Sequence, residues 1–262
     1  MKVTILGSGT STGVPMVGCS CRGCMSPDPR DKRSRASLLI QHAGRSILID
    51  ASTDLRLQAL REGIERIDAV LFTHPHADHV NGIDDLRGFH FLHREVIPCY
   101  GSRSTLDTLQ AGFSYIFHEH EGSGYTPLLE SCEITGPFEL FGLQVVPIPL
   151  VHGRTTALGF RIGPFAYLTD CSAIPDDSRP LLEGLEVLVI DGLRWTPHPF
   201  HFNIESVIVA TEPLKAARTV LTHLTHEVLF SDGGRLPAGF EFACDGLSID
   251  FGNAADAERY DA

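Results

Sequence analysis

Short apolar runs rich in Val, Ile, Leu and Phe recur along the chain, separated by polar breaks that carry Gly, Asp or Pro. Runs of this kind bounded by turn residues read as β-strands. Strands are predicted over residues 2–6, 37–40, 46–49, 69–72, 144–148, 160–162, 165–168, 187–190 and 219–222. Helical spacing places Ile204, Val207, Ile208 and Leu214 on one face, which predicts a helix over 204–214. A second helix is predicted over 54–62, and a third opens near residue 79 and runs to 91. Strands interspersed with helices, without an internal repeat, imply sheets packed between helix layers in an α/β (α+β) arrangement. The stretch 112–137 is the least regular, with Gly122, Gly124 and Pro127. It reads either as an active-site lid or as a long surface loop. No linker rich in Pro, Gly or Ser divides the 262 residues, so a single domain over 1–262 is expected.

Composition limits the partners. Hydrophobic residues make up 43% and charged residues 21%, an ordinary soluble globular balance. The formal charge of −12, from 21 Lys+Arg against 33 Asp+Glu, disfavours nucleic acid, which is bound by basic patches that neutralise phosphates. No apolar run approaches a membrane span, so no membrane partner is expected. The start, Met1-Lys2-Val3-Thr4-Ile5-Leu6-Gly7, lacks the charged head and long apolar stretch of a secretory leader, and a cytoplasmic protein is expected. Seven cysteines is an odd number, and three of them crowd at Cys19, Cys21 and Cys24. That spacing points to metal rather than to disulfides.

The densest chemistry is His74-Pro75-His76-Ala77-Asp78-His79, directly after the predicted strand 69–72. Its imidazoles and carboxylate offer the ligand atoms that zinc, manganese, iron and nickel accept. Other ligand-type residues also follow apolar runs: His152 after 145–151, Asp170 after 165–169 and His223 after 219–222. A lone histidine at a strand end is ordinarily just hydrogen-bonded. Three such positions beside the opening cluster imply a shared metal pocket. Gly7, Gly9 and Gly13 lack dinucleotide-loop spacing and lead into Pro15, Gly18 and the cysteines, so they read as a tight turn beside the site.

The run Thr73 to His79, with His152, Asp170 and His223, resembles the metallo-β-lactamase-fold hydrolases, firmly from residue 5 to about residue 230. The resemblance implies an αββα sandwich, with two mixed β-sheets flanked by helices. It places His74, His76 and His152 around one divalent ion and Asp78, His79 and His223 around a second, with Asp170 bridging them. It also counts Asp78 among the catalytic residues and matches Asp50 to a buried aspartate that orients the metal loop. Two ions, drawn from zinc, manganese, nickel or iron and about 3.5–4 Å apart, can lower the pKa of a shared water and clamp a phosphate or carbonyl oxygen.

Cys19-Ser20-Cys21-Arg22-Gly23-Cys24 supplies three thiolates, one ligand short of a closed structural zinc. His226, shortly after His223, is the natural fourth; the alternative is a trio of reduced cysteines. Such a zinc would tie the N-terminal loop to the loop carrying a catalytic ligand. The cysteine trio and His-x-x-His are joined by Gly13-Val14-Pro15, Arg33-Ser34-Arg35-Ala36-Ser37 and Gly82-Ile83-Asp84-Asp85-Leu86-Arg87. Together they resemble the phosphoribosyl 1,2-cyclic phosphate phosphodiesterases of the carbon–phosphorus lyase pathway. That resemblance implies cleavage of a small cyclic phosphodiester substrate. It gives His201, in Pro197-His198-Pro199-Phe200-His201-Phe202-Asn203, the task of protonating the leaving oxygen or holding a phosphoryl oxygen. Where the family shows a hydroxyl residue soon afterwards, this chain has Phe202-Asn203.

Other residues stay open at this level. Arg33 and Arg35 read as a clamp for a terminal phosphate or as surface arginines. His90, His93, His118 and His120 line the pocket or are solvated, core-edge residues. Alternatives to the phosphodiesterase are a tRNA-processing-type ribonuclease, against which the acidic charge argues, and a thioester hydrolase of the same fold. A non-hydrolytic alternative resembles the pyrroloquinoline quinone biosynthesis B proteins, whose metal motif is eroded where every position here is filled. A homodimer is expected by base rate.

Overall fold

Branched aliphatic residues fill both faces of the central strands, and that pattern builds a layered molecule. A computed structural model describes residues 1–118 and 128–252. In one sheet β1 (Lys2–Gly7), β2 (Ser37–His42), β3 (Arg45–Ile49), β4 (Ala69–Leu71), β5 (Ile97–Gly101) and β6 (Leu129–Glu133) lie in chain order. A second sheet takes β7 (Phe138–Leu140), β8 (Leu143–His152), β9 (Thr155–Ile162), β10 (Phe165–Leu168), β11 (Val187–Asp191), β12 (Arg218–Thr222) and β13 (Phe240–Phe242). The last strand, β14 (Ser248–Asp250), returns to the first sheet and pairs antiparallel with β1. Among the described residues each sheet has seven strands and is mixed. β3 to β6 run parallel, as do β10 to β13, while β1 to β3 and β7 to β10 are antiparallel.

Alternation along the strands separates three apolar layers. Val3, Ile5, Leu38, Ile40, Ile47, Ile49 and Leu71 point from the first sheet onto Val145, Phe160, Phe165, Tyr167, Val189 and Val220 of the second. Their neighbours Leu6, Leu39, Leu48 and Val70 face outward. They pack under α1 (Leu55–Glu62), α3 (Leu86–His93) and α4 (Arg103–Gly112), with α2 (Ala77–Val80) and α5 (Ser114–Phe117) on the same side. Outward-facing Leu168, Leu188, Ile190 and Leu221 of the second sheet pack on Ile204 and Val207 of α6 (Ile204–Thr211). Strands buried on both faces read as unbroken apolar runs, which is why they stood out in the sequence. The arrangement is the αββα sandwich of the metallo-β-lactamase fold.

Several boundaries differ from expectation. The helix expected from 79 to 91 is broken into α2, a 3-10 turn at Ile83–Asp85 and α3. Gly82 accounts for the break: its N–H donates to the Ala51 carbonyl at 2.9 Å, and a Cβ there would collide with the Ser52 carbonyl oxygen. The helix expected over 204–214 ends at Thr211 and tightens into a 3-10 turn at Glu212–Leu214, where Pro213 cannot donate. The stretch 112–137 is not one irregular loop, because α5 and β6 lie within it; residues 119–127, including His120, lie outside the described residues. No helix among the described residues is long and apolar enough to cross a membrane.

Candidate dinuclear metal centre

Parallel strands deliver their next residues to a common edge, and here those residues are ligands. β3 is followed by Asp50, β4 by Phe72-Thr73-His74, β10 by Thr169-Asp170 and β12 by His223. β8 ends on His152, and α2 carries Asp78 and His79 with His76 at its N-cap position. Asp50, Asp170 and His223 leave their strands in the left-handed region, with φ of 63°, 54° and 59°. Few non-glycine residues sit there, and such positions concentrate at functional sites.

Two ligand sets meet at Asp170. On one side His74 Nε2 lies 2.9 Å from His76 Nδ1 and 3.6 Å from Asp170 Oδ2. His152 Nε2 lies 3.3 Å from the same His76 atom and 3.9 Å from the same Asp170 oxygen. On the other side Asp170 Oδ1 is 3.1 Å from His79 Nε2 and 3.3 Å from His223 Nε2, and Asp78 Oδ2 is 3.3 Å and 3.6 Å from those nitrogens. His76 is exposed, whereas His74, His79, His152, Asp170 and His223 are buried. The structure thus brings together all seven residues expected of the dinuclear site, in the two groups expected.

These atoms fit divalent ions better than each other. The buried Nε2 atoms of His79 and His223 have no hydrogen-bond partner, although carboxylate oxygens stand close by. Bonds of about 2.0–2.2 Å around one tetrahedral ion would set its ligands about 3.3–3.6 Å apart. The outer ring atoms are fixed by a second set of contacts. His79 Nδ1 donates to Asp50 Oδ2 at 2.7 Å, and His152 Nδ1 donates to the Phe200 carbonyl at 3.0 Å. Asp50 also accepts from the Thr73 N–H at 2.9 Å and the Thr73 hydroxyl at 2.8 Å. Asp50 therefore orients the loop through both a ring and a backbone group.

Protonation in the metal-free site follows from the same packing. Burial pushes the His74 imidazole well below its ordinary value and lowers that of His152. Burial also opposes charge on His79 and His223, but Asp170 with Asp50 or Asp78 outweighs it; His79 is raised well above the ordinary value and His223 to about 9. Burial works against ionisation of Asp170 and Asp78 too, yet His223 and His79 hold both well below the carboxylate range. Protons thus occupy the nitrogens that a metal would take, and binding must displace them.

His201 lies beside this pair of ligand sets. Its ring centroid is 4.9 Å from that of His152 and 4.9 Å from that of His223, one ligand of each set. Its Nδ1 donates to Asp191 Oδ2 at 2.6 Å. Asp191 was missed in the sequence, although a carboxylate closing a buried strand is the same signal that marked Asp170. His198 sits further out, its ring 5.1 Å from that of His201. Phe202 is buried in the outer apolar layer. Asn203 caps α6, its Oδ1 accepting from the Ser206 N–H at 3.2 Å. Neither residue is free to replace a substrate-binding hydroxyl.

The cysteine trio closes on His226 as expected. His226 Nδ1 lies 3.4 Å from Cys19 Sγ, 3.0 Å from Cys21 Sγ and 3.6 Å from Cys24 Sγ, the spread of a tetrahedral ligand set. Hydrogen bonds from the Cys24 backbone and His226 lower the Cys21 thiol to about 6, favouring thiolate. Gly23 lets the loop touch its partner, since a Cβ there would run into the His226 carbonyl. Both readings of Arg33 are wrong. Its side chain is fully buried, donates to the Val228 carbonyl at 2.8 Å and pairs with Asp31 at 3.5 Å, so it staples the cysteine segment to the His226 loop. Arg35 pairs with Asp54 at 2.9 Å. His90 and His93 bond the Glu95 and Glu65 carbonyls away from the site, and His118 is exposed.

Comparison with known proteins agrees with this geometry. A family model described as a beta-lactamase superfamily domain matches residues 45–224. A protein of Porphyromonas gingivalis named octanoyltransferase is 46% identical over 230 residues, 86% of this chain; the chain spans only 46% of that relative's length. A solved diphosphatase of the PhnP family is 41% identical, with a TM-score of 0.89 over 96% of this chain and 98% of that one. Zinc-bound PqqB from Methylobacterium extorquens shares the fold, at 22% identity and a TM-score of 0.79 over 96% of this chain and all of that one. The match over most of the chain, together with the two sheets, means that this chain belongs to the β-lactamase superfamily and has the metallo-β-lactamase fold.

Proposed function

We propose that the chain is a dinuclear metal-dependent hydrolase acting at phosphorus in a small phosphodiester or diphosphate, of which phosphoribosyl 1,2-cyclic phosphate is the first substrate to test. The observation carrying this reading is the sharing of Asp170, one oxygen to each ligand set, with His201 beside both sets. His74, His76, His152 and Asp170 would hold one ion, and Asp78, His79, His223 and Asp170 the other. Bound ions supply Lewis acidity, which readies water at neutral pH and offsets charge on phosphoryl oxygens. The residues themselves do the rest. His201 hands a proton to the departing oxygen, and Asp78 and Asp170 keep the pocket electronegative enough to retain two cations. A structural zinc on Cys19, Cys21, Cys24 and His226 would hold the His223 loop in place. The sequence motifs support a cyclic diester, and the likeness to a diphosphatase supports a phosphoric anhydride; either presents phosphorus with two bridging oxygens.

A second reading, hydrolysis of an acyl thioester, draws on the relative named octanoyltransferase, much of whose length lies outside this chain. A panel decides between them: metal-reconstituted protein with phosphoribosyl 1,2-cyclic phosphate, bis(p-nitrophenyl) phosphate, a dinucleoside diphosphate and an octanoyl thioester. Turnover at phosphorus, lost in His76→Ala and Asp170→Ala, is expected; turnover of the thioester alone, or wild-type rates in both variants, would overturn the proposal. About three metals per chain are expected, against about one for a carrier of the pyrroloquinoline quinone type.

A further inference from the structure

The motif residues leave one buried carboxylate unexplained. Asp191 closes β11 and is fully buried; it stands within ligand distance of His201 and His223, but His223 already belongs to the dinuclear set, and no arginine or lysine pairs with Asp191 among the described residues. A buried charge without a strong partner is costly, so its contacts have to account for it. Its Oδ2 takes two donors: His201 Nδ1 at 2.6 Å and the Cys171 N–H at 3.1 Å. Cys171 follows Asp170, the residue shared by both ligand sets. The Cys171 carbonyl in turn accepts from the N–H of Phe202, next to His201, at 2.7 Å. Two further backbone bonds brace the frame, from Leu193 N–H to the Phe202 carbonyl at 3.0 Å and from Gly192 N–H to the Thr222 carbonyl at 3.1 Å.

We infer that Asp191 is a positioning residue that fixes both the tautomer and the rotamer of His201 relative to Asp170. With Nδ1–H committed to Asp191, His201 must present Nε2 to whatever occupies the metal centre, and its proton is delivered from that atom alone. The side chain of His201 and its backbone neighbour are both tied to residue 171, so the donor and the shared carboxylate belong to one frame. Proton donors held in this way contribute on the order of 10²–10⁴-fold to a rate, provided that the geometry is kept. In the proposed reaction water gives up a proton to solvent, its oxygen bonds to phosphorus, and the bond from phosphorus to the leaving oxygen breaks. The electron pair stays on that oxygen and takes the Nε2 proton of the doubly protonated His201 ring, which is left as the neutral Nδ1–H tautomer held by Asp191 until solvent returns a proton. Asp191 takes no proton; it holds the ring. The inference rests on the proposed phosphoryl reading, and its test separates the two.

The test uses metal-loaded wild type, Asp191→Asn, Asp191→Glu, His201→Ala and the double variant Asp191→Asn/His201→Ala. Each is assayed on aryl phosphodiesters whose leaving phenol runs from p-nitrophenol to unsubstituted phenol. Better leaving groups need less proton donation. Asp191→Asn is therefore expected to lower kcat on the order of 10²-fold for phenol and only a few-fold for p-nitrophenol, with KM unchanged. Asp191→Glu is expected to recover part of the loss, and the double variant to be no worse than His201→Ala. An equal loss across the series in Asp191→Asn, with a steepened series in His201→Ala, overturns the positioning role alone. A flat series in His201→Ala removes the proton donor and the proposed mechanism with it. Proton NMR of the zinc-loaded wild type gives a readout independent of turnover. A strongly deshielded imidazole N–H that disappears in both Asp191→Asn and His201→Ala is expected, and its persistence in Asp191→Asn overturns the inference.

Discussion

Replacing Asp50 with Asn is expected to weaken one of the two proposed metal positions more than the other. Asparagine has nearly the shape of aspartate and tolerates the positive φ of 63° at this position, so the backbone need not move. What changes is the donor count. Asp50 Oδ1 faces the Thr73 N–H, and Oδ2 faces the Thr73 hydroxyl and His79 Nδ1. An amide NH₂ in the first place would confront a backbone donor inside the core, at a cost of about 1–3 kcal/mol. In the second place it would drive His79 to the tautomer with hydrogen on Nε2, the atom facing Asp78 and Asp170. Loss of such an outer contact typically weakens a metal site by about 10–100-fold, or about 1.4–2.7 kcal/mol. The set containing His79 should suffer first, because His79 bonds Asp50 directly, whereas His74 reaches it only through the Thr73 hydroxyl, and the rings of His76 and His152 make no bond to it. Equilibrium dialysis of chelated protein against graded zinc or manganese, followed by elemental analysis, would show one metal per centre lost first. Equal weakening of both positions, or none of either, would refute the reasoning.

Gly23→Ala should drive the cysteine loop off the His226 carbonyl, releasing about one zinc per chain and costing about 1–3 kcal/mol in thermal unfolding; full zinc content in a stable variant would count against the close approach. Arg33→Met should leave Asp31 buried without its cation, at a cost of about 3–5 kcal/mol, while KM for substrate stays unchanged; a raised KM in stable protein would restore the phosphate-clamp reading. pH dependence is expected because His223 is raised from 6.5 to about 9 in the metal-free fold. The stability it lends is complete below its unfolded value and is lost as pH rises through about 9, so the Tm of chelated protein should fall across that window. Apparent metal affinity should rise over the same window as the proton is surrendered, and pH-independent uptake would contradict the assignment.

Legibility in the sequence followed burial. Strands covered on both faces, such as β3, β10 and β11, showed as continuous apolar runs, and the ligands just after them were found by position. Elements near the edges were harder. β5 was hidden by Pro98, its second residue, and β6, an edge strand, carries Glu130 and Glu133. The three-residue strands β7, β13 and β14 are too short to show a period. Arg33 misled because arginine is seldom buried, and only the fold reveals the carbonyls and carboxylate that receive it. Asp191 was hidden for a different reason: its partner, His201, sits on the loop after its own strand, and nothing in their spacing announces a contact.

The left-handed turns at Asp50, Asp170 and His223 restrict how this centre can drift. Aspartate, asparagine and histidine are the metal-ligating side chains that settle into positive φ most readily. Glutamate carries the charge of aspartate, but lacks the short side chain that steadies this conformation. It also reaches about one methylene further into a pocket whose ligand atoms already stand 2.9–3.9 Å apart. At these positions the backbone therefore acts as a filter on ligand chemistry. Substitution can exchange aspartate for histidine and retune which metal is preferred, but enlarging the pocket by lengthening a carboxylate would require a different exit from the strand.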